Sequence, residues 1–190
     1  MAIFLILAPY GAFTALMLVT SAVASLFTAA AIALLVVAHD VVRGRSIKLL
    51  GAGSVVLFAA LGGYLTLADT GLSGAAVKFA VDGGVLAISL GSLAIRRPFT
   101  LQYAREMVDA DTAALPGFLT ANYVITWAWA AAFLLMLMAN LLMICLPGLP
   151  FWIGIAIAFA ARNTAIYFTR WYPQHRQAKF ASSAVSAGAP

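Results

Sequence analysis

The sequence predicts an all-α protein, a polytopic bundle of six transmembrane helices with almost no soluble domain, and three observations carry that prediction. The chain is 64% hydrophobic and only 9% charged, with a mean hydropathy of +1.02; soluble domains run at about 45–50% apolar and about 25% charged. Its apolar runs are each about long enough to cross a hydrocarbon core of about 30 Å. Most of its cations sit at the ends of those runs, in alternate connections. Such an apolar surplus cannot be hidden in a water-soluble core, so residues 1–172 are read as a single transmembrane domain.

Met1 to Ala38 contains no charged residue. As one straight helix, at about 1.5 Å per residue, it would be roughly 57 Å long, nearly twice the core. Two spans fit, 1–20 and 21–39, with the turn at Thr20 and Ser21. The alternative, which lowers the count to five, is one long span after a break at Pro9 and Gly11. Met1 to Ala8 lacks the cationic start of a signal peptide, so the run is expected to be a retained span. The later spans are 49–68, 74–95, 119–145 and 151–168. Asp69 to Ser73 and Leu146 to Pro150 are tight connections, the second a helix stop built from Pro147, Gly148 and Pro150. Residues 98–108 suit a short helix in the membrane interface, with Pro98 at its first position. The small and polar residues after Phe180 suggest a disordered tail, 173–190.

Charge placement sets the orientation. Arg43, Arg45 and Lys48 fall in the second connection, Arg96, Arg97 and Arg105 in the fourth, and Arg170, Arg176 and Lys179 after the last span. The other side offers only Asp69. By the positive-inside rule the three basic regions are cytoplasmic, which places both termini there. Trp152, Trp171 and Tyr172 fall near the expected interfaces, where aromatic rings are enriched. A net charge of +5 and a pI near 9.7 do not indicate nucleic acid, because the cations form no soluble stripe. Cys145 is single, which excludes an intrachain disulfide and a multi-cysteine zinc site.

Lys78 and Asp82 are the most informative charges. They lie one and two turns inside the fourth span, on one face at i and i+4, close enough to pair. They read as a proton or ion relay, as a polar site facing a cavity, or as a paired charge that fixes packing while Lys78 snorkels outward. Gly83, Ala87 and Gly91, with Ala59 and Gly63 in the preceding span, offer small-residue ridges for close helix approach. Asn122, Trp127, Trp129 and Asn140 decorate the fifth span, and Arg162 and Asn163 the last. In hydrocarbon such groups seek partners on other helices. Arg96, Arg97, Pro98, Gln102, Tyr103, Arg105 and Glu106 form either a docking surface for anionic headgroups or a partner protein, or a connector that anchors the loop. His39 and His175 stand singly, with no metal-ligand spacing, no His-Glu-x-x-His and no phosphate-cradling glycine loop. No enzyme, metal or cofactor is therefore expected.

Several short motifs, taken in order, resemble the intracellular septation protein A family of bacterial inner-membrane proteins. They are Pro9, Val42-Arg43-Gly44-Arg45, Gly62-Gly63-Tyr64-Leu65-Thr66-Leu67, Lys78, Arg97-Pro98 with Gln102, Leu115-Pro116, and Trp129 with Asn140 eleven residues on. The resemblance covers roughly Pro9 to Asn140 and departs from the family in carrying fewer aromatic residues and Ser46-Ile47 where an acidic residue stands. It implies a multi-pass protein of the bacterial inner membrane, without a catalytic site, that supports envelope maintenance and septum formation. Its expected partners are the lipid bilayer, other inner-membrane envelope or division proteins, and a further copy in a homo-oligomer. Two alternatives remain open from the residues alone: a small-solute or ion transporter or channel using Lys78 and Asp82, and a membrane-embedded lipid-modifying enzyme.

The orientation has a direct test in the unique thiol. Cys145 is expected to face outward beside the Leu146 to Pro150 turn, so an impermeant thiol reagent added to intact spheroplasts should label it. Labelling only after the membrane is opened would reverse the assignment.

Overall fold

The computed structural model describes residues 2–68, 71–146 and 148–187, with the side chains of 2–6, 151 and 177–187 left aside. The expected outer charge Asp69, the expected helix stop Pro147 and the last three residues of the tail lie outside the described residues. All regular structure among the described residues is helical, in the order α1 (Ala2–Leu16), α2 (Ala22–Val42), α3 (Leu49–Ala68), α4 (Gly74–Ala94), α5 (Phe99–Ala104), α6 (Ala110–Ala114), α7 (Pro116–Cys145) and α8 (Phe151–Ala187). Of these, α2, α3, α4 and α7 are long and apolar enough to cross a membrane. Their outward faces suit acyl chains rather than water: Leu35, Val56, Leu90, Trp127 and Leu135 are all exposed.

Local chemistry explains where the helices stop and start. The charge-free amino-terminal run divides in two because Ser21 adopts an extended conformation and its side chain accepts the Ala24 N–H at 3.2 Å, starting α2. The break at Pro9 and Gly11 does not occur, since α1 continues through both. Gly44, at φ +69°, ends α2. There the Arg45 N–H reaches Asp40 O and the Gly44 N–H reaches Val41 O, both at 2.9 Å. Arg96 takes the same left-handed role after α4 at φ +57° without being glycine. Pro116 opens α7 at its first turn, three residues before the expected start at 119.

Three segments differ from the sequence expectation. The interfacial helix covers Phe99–Ala104 rather than 98–108. A further turn of helix, α6, follows it, capped by the Asp109 carboxylate, which accepts the Thr112 N–H at 2.7 Å. That bond holds the exposed Asp109 carboxyl below its ordinary pKa. The tail expected to be disordered from residue 173 is instead the end of α8, which passes Pro173 and runs to Ala187. Arg176 donates to Gly117 O at 3.2 Å and ties this part of α8 to the start of α7. Frequent alanine beyond it suits a helix.

The helices pack as a sequence of neighbours: α2 against α1 and α3, α4 against α3 and α7, and α8 against α7. Leu26, Phe58, Val77, Val81, Val85, Trp129 and Phe133 form the core. Phe58 stacks at a tilt on Tyr10 and Phe13, at centroid distances of 5.3 and 5.6 Å, and so draws α1 onto α3.

Close approach does not follow the expected ridges. Ala59 and Ala87 are exposed, and a Cβ at Gly63 or Gly91 would meet nothing. The contacts are made one position away: Leu57 fills the space beside Gly84, Ile88 lies 2.8 Å from a Cβ at Gly53, and the Phe27 ring lies 3.2 Å from one at Gly62. Gly83 faces Leu137 of α7. Gly84→Leu should therefore destabilise the bundle by about 1–3 kcal/mol through overpacking. Gly91→Ala should be neutral or stabilise by up to about 1 kcal/mol. Unfolding midpoints in detergent check the pair, and equal effects would remove the α3–α4 contact as the cause.

Candidate functional site

A cavity of about 330 Å³ lies among α1, α4, α7 and α8. Its position follows from packing: α1 leans on α2 and on Phe58, and the space beside it is bounded by the other three helices. On α4, Val77, Val81 and Val85 enter the core, and the adjoining stripe at the same spacing brings Lys78 and Asp82 to the cavity wall. Asn140 and Trp129 of α7, Arg162 of α8 and Tyr10 and Thr14 of α1 complete its polar lining.

Asp82 is held across helices. Asn140 donates through Nδ2 to Asp82 Oδ2 at 2.6 Å, and the same amide lies 3.2 Å from Met136 O. A hydrogen bond to a charged acceptor is among the stronger side-chain contacts. The expected Lys78–Asp82 pair is absent from the salt bridges among the described residues, so the i and i+4 spacing brings the two charges to one face without closing a contact. Arg162 lies with its guanidinium carbon 5.9 Å from the Phe159 ring centre. The cavity thus gathers two cations and one carboxylate whose direct hydrogen bond goes to a neutral amide.

Of the other intramembrane candidates, Trp129 and Asn122 take part in contacts between helices. Trp129 Nε1 donates to Thr169 Oγ1 at 2.9 Å, joining α7 to α8. Asn122 is buried and donates to Phe118 O at 2.9 Å in its own helix, while its main-chain oxygen accepts from Thr100 of α5 at 2.9 Å. Asn163 is exposed and bonds Phe159 O at 2.7 Å. Trp127 points away from the protein. The sequence reading missed the bond between Tyr10 and Ser54, in which the tyrosine donates because Ser54 already donates to Leu50 O at 2.6 Å. Its only signal was the presence of two hydroxyls in otherwise apolar spans.

No family model matches this chain, nor does any curated protein or solved structure.

A second cluster lies at the end of the bundle that holds the basic connections. Lys48, only 5% exposed, reaches Asp40 at 2.5 Å and Glu106 at 3.0 Å, with its ammonium 5.3 Å from the centre of the Tyr103 ring. Arg45 lies 3.5 Å from Asp40 and 3.9 Å from Glu106. Gln102 Oε1 accepts the Leu49 N–H at 2.6 Å and so caps α3 from α5. Ser92 Oγ accepts the Phe99 N–H at 3.1 Å. Burial pushes the Tyr103 hydroxyl above its ordinary pKa.

These bonds turn much of the segment inward, as its reading as an anchoring connector expects more than its reading as a docking surface. Pro98, Phe99 and Leu101 are buried, Gln102, Tyr103 and Glu106 are engaged with the bundle, and Arg96, Arg97 and Arg105 face outward. A helical wheel ranks residues by polarity, and it cannot show that a polar stripe has a partner inside.

Removing the central cation of this cluster would leave the carboxylates of Asp40 and Glu106 facing each other. Lys48→Met should therefore cost about 3 kcal/mol, at the lower end for a broken buried pair. Arg45→Gln, at a more exposed position, should cost under about 1 kcal/mol. The shift in detergent unfolding midpoint measures both, and similar small losses would show that Lys48 does not organise the cluster.

Proposed function

We propose that this chain is a six-span protein of the bacterial inner membrane, with both ends in the cytoplasm, that supports envelope maintenance and septum formation without catalysing a reaction. Supporting the orientation, the three basic segments gather at one end of the bundle. Lys48 and Glu106 join the second and fourth connections, and Arg176 meets the start of α7. Supporting the span count, α1 and α2 are separate antiparallel neighbours, and α8 returns along α7.

The observation that carries the envelope reading is where the motifs of the septation-protein resemblance fall. Gly44 ends α2, Gly62 receives the Phe27 ring, Gln102 caps α3, Trp129 joins α7 to α8 and Asn140 holds Asp82. These five motif residues sit at helix ends and helix contacts, which supports the resemblance as one of architecture. The lipid-exposed helix faces offer surface for other envelope or division proteins, or for a second copy.

The cavity favours a second reading, a transporter or channel for a small solute or ion. Charged side chains within a membrane are costly and tend to mark solute or ion paths. Lys78, Asp82 and Arg162 lining one space is the specific observation behind it.

A deletion strain should show altered cell length or septum placement and raised sensitivity to osmotic shock or detergent. Wild-type behaviour in all of these would overturn the envelope reading. Complementation with Asp82→Asn separates the two readings. Full rescue is expected if Asp82 only fixes packing, whereas a transporter should lose both rescue and flux in liposomes while still inserting normally.

A further inference from the structure

We infer that the cavity among α1, α4, α7 and α8 is a binding site for a small hydroxylated phosphate ester, its phosphate held between Lys78 and Arg162 and its hydroxyl donating to Asp82. This deepens the solute-binding reading and rests on the cavity, not on movement across the membrane.

The charge balance points to an anion. Of the described residues lining the cavity, Lys78 and Arg162 are cationic and Asp82 alone is acidic. Asp82 spends one oxygen on Asn140, and no salt bridge among the described residues involves Lys78 or Arg162. The acids of the second cluster, Asp40 and Glu106, are committed to Lys48. Arg162 stands eleven residues into α8, roughly 16 Å from its start and so about midway through a hydrocarbon core. An arginine at that depth is expensive unless something neutralises it.

Geometry narrows the class. Lys78 and Arg162 come from different helices, so one anion engaging both must present oxygens in more than one direction. A tetrahedral phosphate does so, with a fork to the guanidinium and a point contact to the ammonium. In its ionised form Asp82 offers its second oxygen as an acceptor, which suits a hydroxyl on the ligand. Val85, Phe133 and Met136 supply apolar wall for a short carbon body. At about 30 Å³ of liquid volume per water, the cavity corresponds to about ten waters, near the bottom of the range for ligand pockets. That admits a glycerol phosphate or a lipid headgroup, not a whole phospholipid.

The same chemistry has two sources, a free metabolite or the head of an anionic lipid, and the test separates them. The full-length protein in phosphatidylcholine nanodiscs is titrated with glycerol 1-phosphate, and in neutral detergent with short-chain phosphatidylglycerol, by calorimetry. At least one probe should bind saturably. Arg162→Gln and Lys78→Met should each weaken it tenfold or more, and Arg170→Gln, an exposed cation outside the cavity, should leave it unchanged. Response to glycerol 1-phosphate assigns the soluble source, and response to phosphatidylglycerol alone assigns the headgroup. Absence of saturable binding by both probes, or an equal loss in Arg170→Gln, overturns the proposal. Unfolding midpoints without probe identify any variant that fails to fold, and if Arg162→Gln is lost in this way Lys78→Met decides. Binding without liposome flux keeps the site and removes the transport reading; flux without binding does the reverse.

Discussion

No water is available in hydrocarbon to satisfy a polar group, and the arrangement of this bundle depends on how each buried polar side chain meets that constraint. Some meet it within their own turn: Ser25 donates to Ser21 O at 2.9 Å, Thr66 to Gly62 O at 2.8 Å and Thr169 to Ala165 O at 2.8 Å. Such bonds leave a helix free to sit anywhere. Others cross between helices, and these fix the packing: Tyr10 to Ser54, Trp129 to Thr169, Asn140 to Asp82, and Thr126 to Thr100 at 2.7 Å. Each is worth on the order of 1 kcal/mol, which is small. Their effect is selective rather than cohesive, because any other rotation of the helices would leave those groups unpaired. Ser89 Oγ is the exception among the described residues, buried without a partner.

The two charged clusters meet the constraint in opposite ways. Around Lys48 the charges alternate in sign and the cation touches both carboxylates, so the group is close to neutral and ties two connections together. Around Arg162 and Lys78 the cations outnumber the one carboxylate. Mechanical demand explains the first arrangement: the connection after α2 and the helix α5 need a fixed relation for Gln102 to cap α3. No comparable mechanical role is visible for the two cations of the second, where Arg162 lies beside an aromatic ring.

Run length made the helices legible, since a crossing segment must be apolar over its whole length and a break must carry a polar or glycine residue. Ser21 and Gly44 are such residues, and the helices end beside them. Register was not legible. A ridge of small residues every four positions drifts around a helix of 3.6 residues per turn, so Gly83, Ala87 and Gly91 do not keep to one neighbour, and Gly84 makes the close contact instead. The site was half legible. Lys78, Asp82, Asn140 and Arg162 stood out as charges and amides in apolar runs, yet that one cavity joins them depends on the lean of α1, which no local pattern encodes. The partner of Gln102 was not legible for a related reason, because a group fifty-three residues away leaves no mark on the periodicity.

One end of the cavity lies nearest the α3–α4 and α7–α8 connections. Gly74 and Gly154 lie there, and a Cβ at either would come within 3.3 Å of a methionine side chain, Met17 in the first case and Met143 in the second. Glycine leaves room, and methionine is the apolar side chain best able to change shape within it. The closing surfaces are therefore flexible side chains over small ones rather than one helix wedged against another. Movement of these two methionines is rotation about side-chain bonds, which is fast, and need not disturb the cross-helix hydrogen bond that holds Asp82 in place. The helices can therefore stay fixed around the charges while the side chains at that end of the cavity change shape.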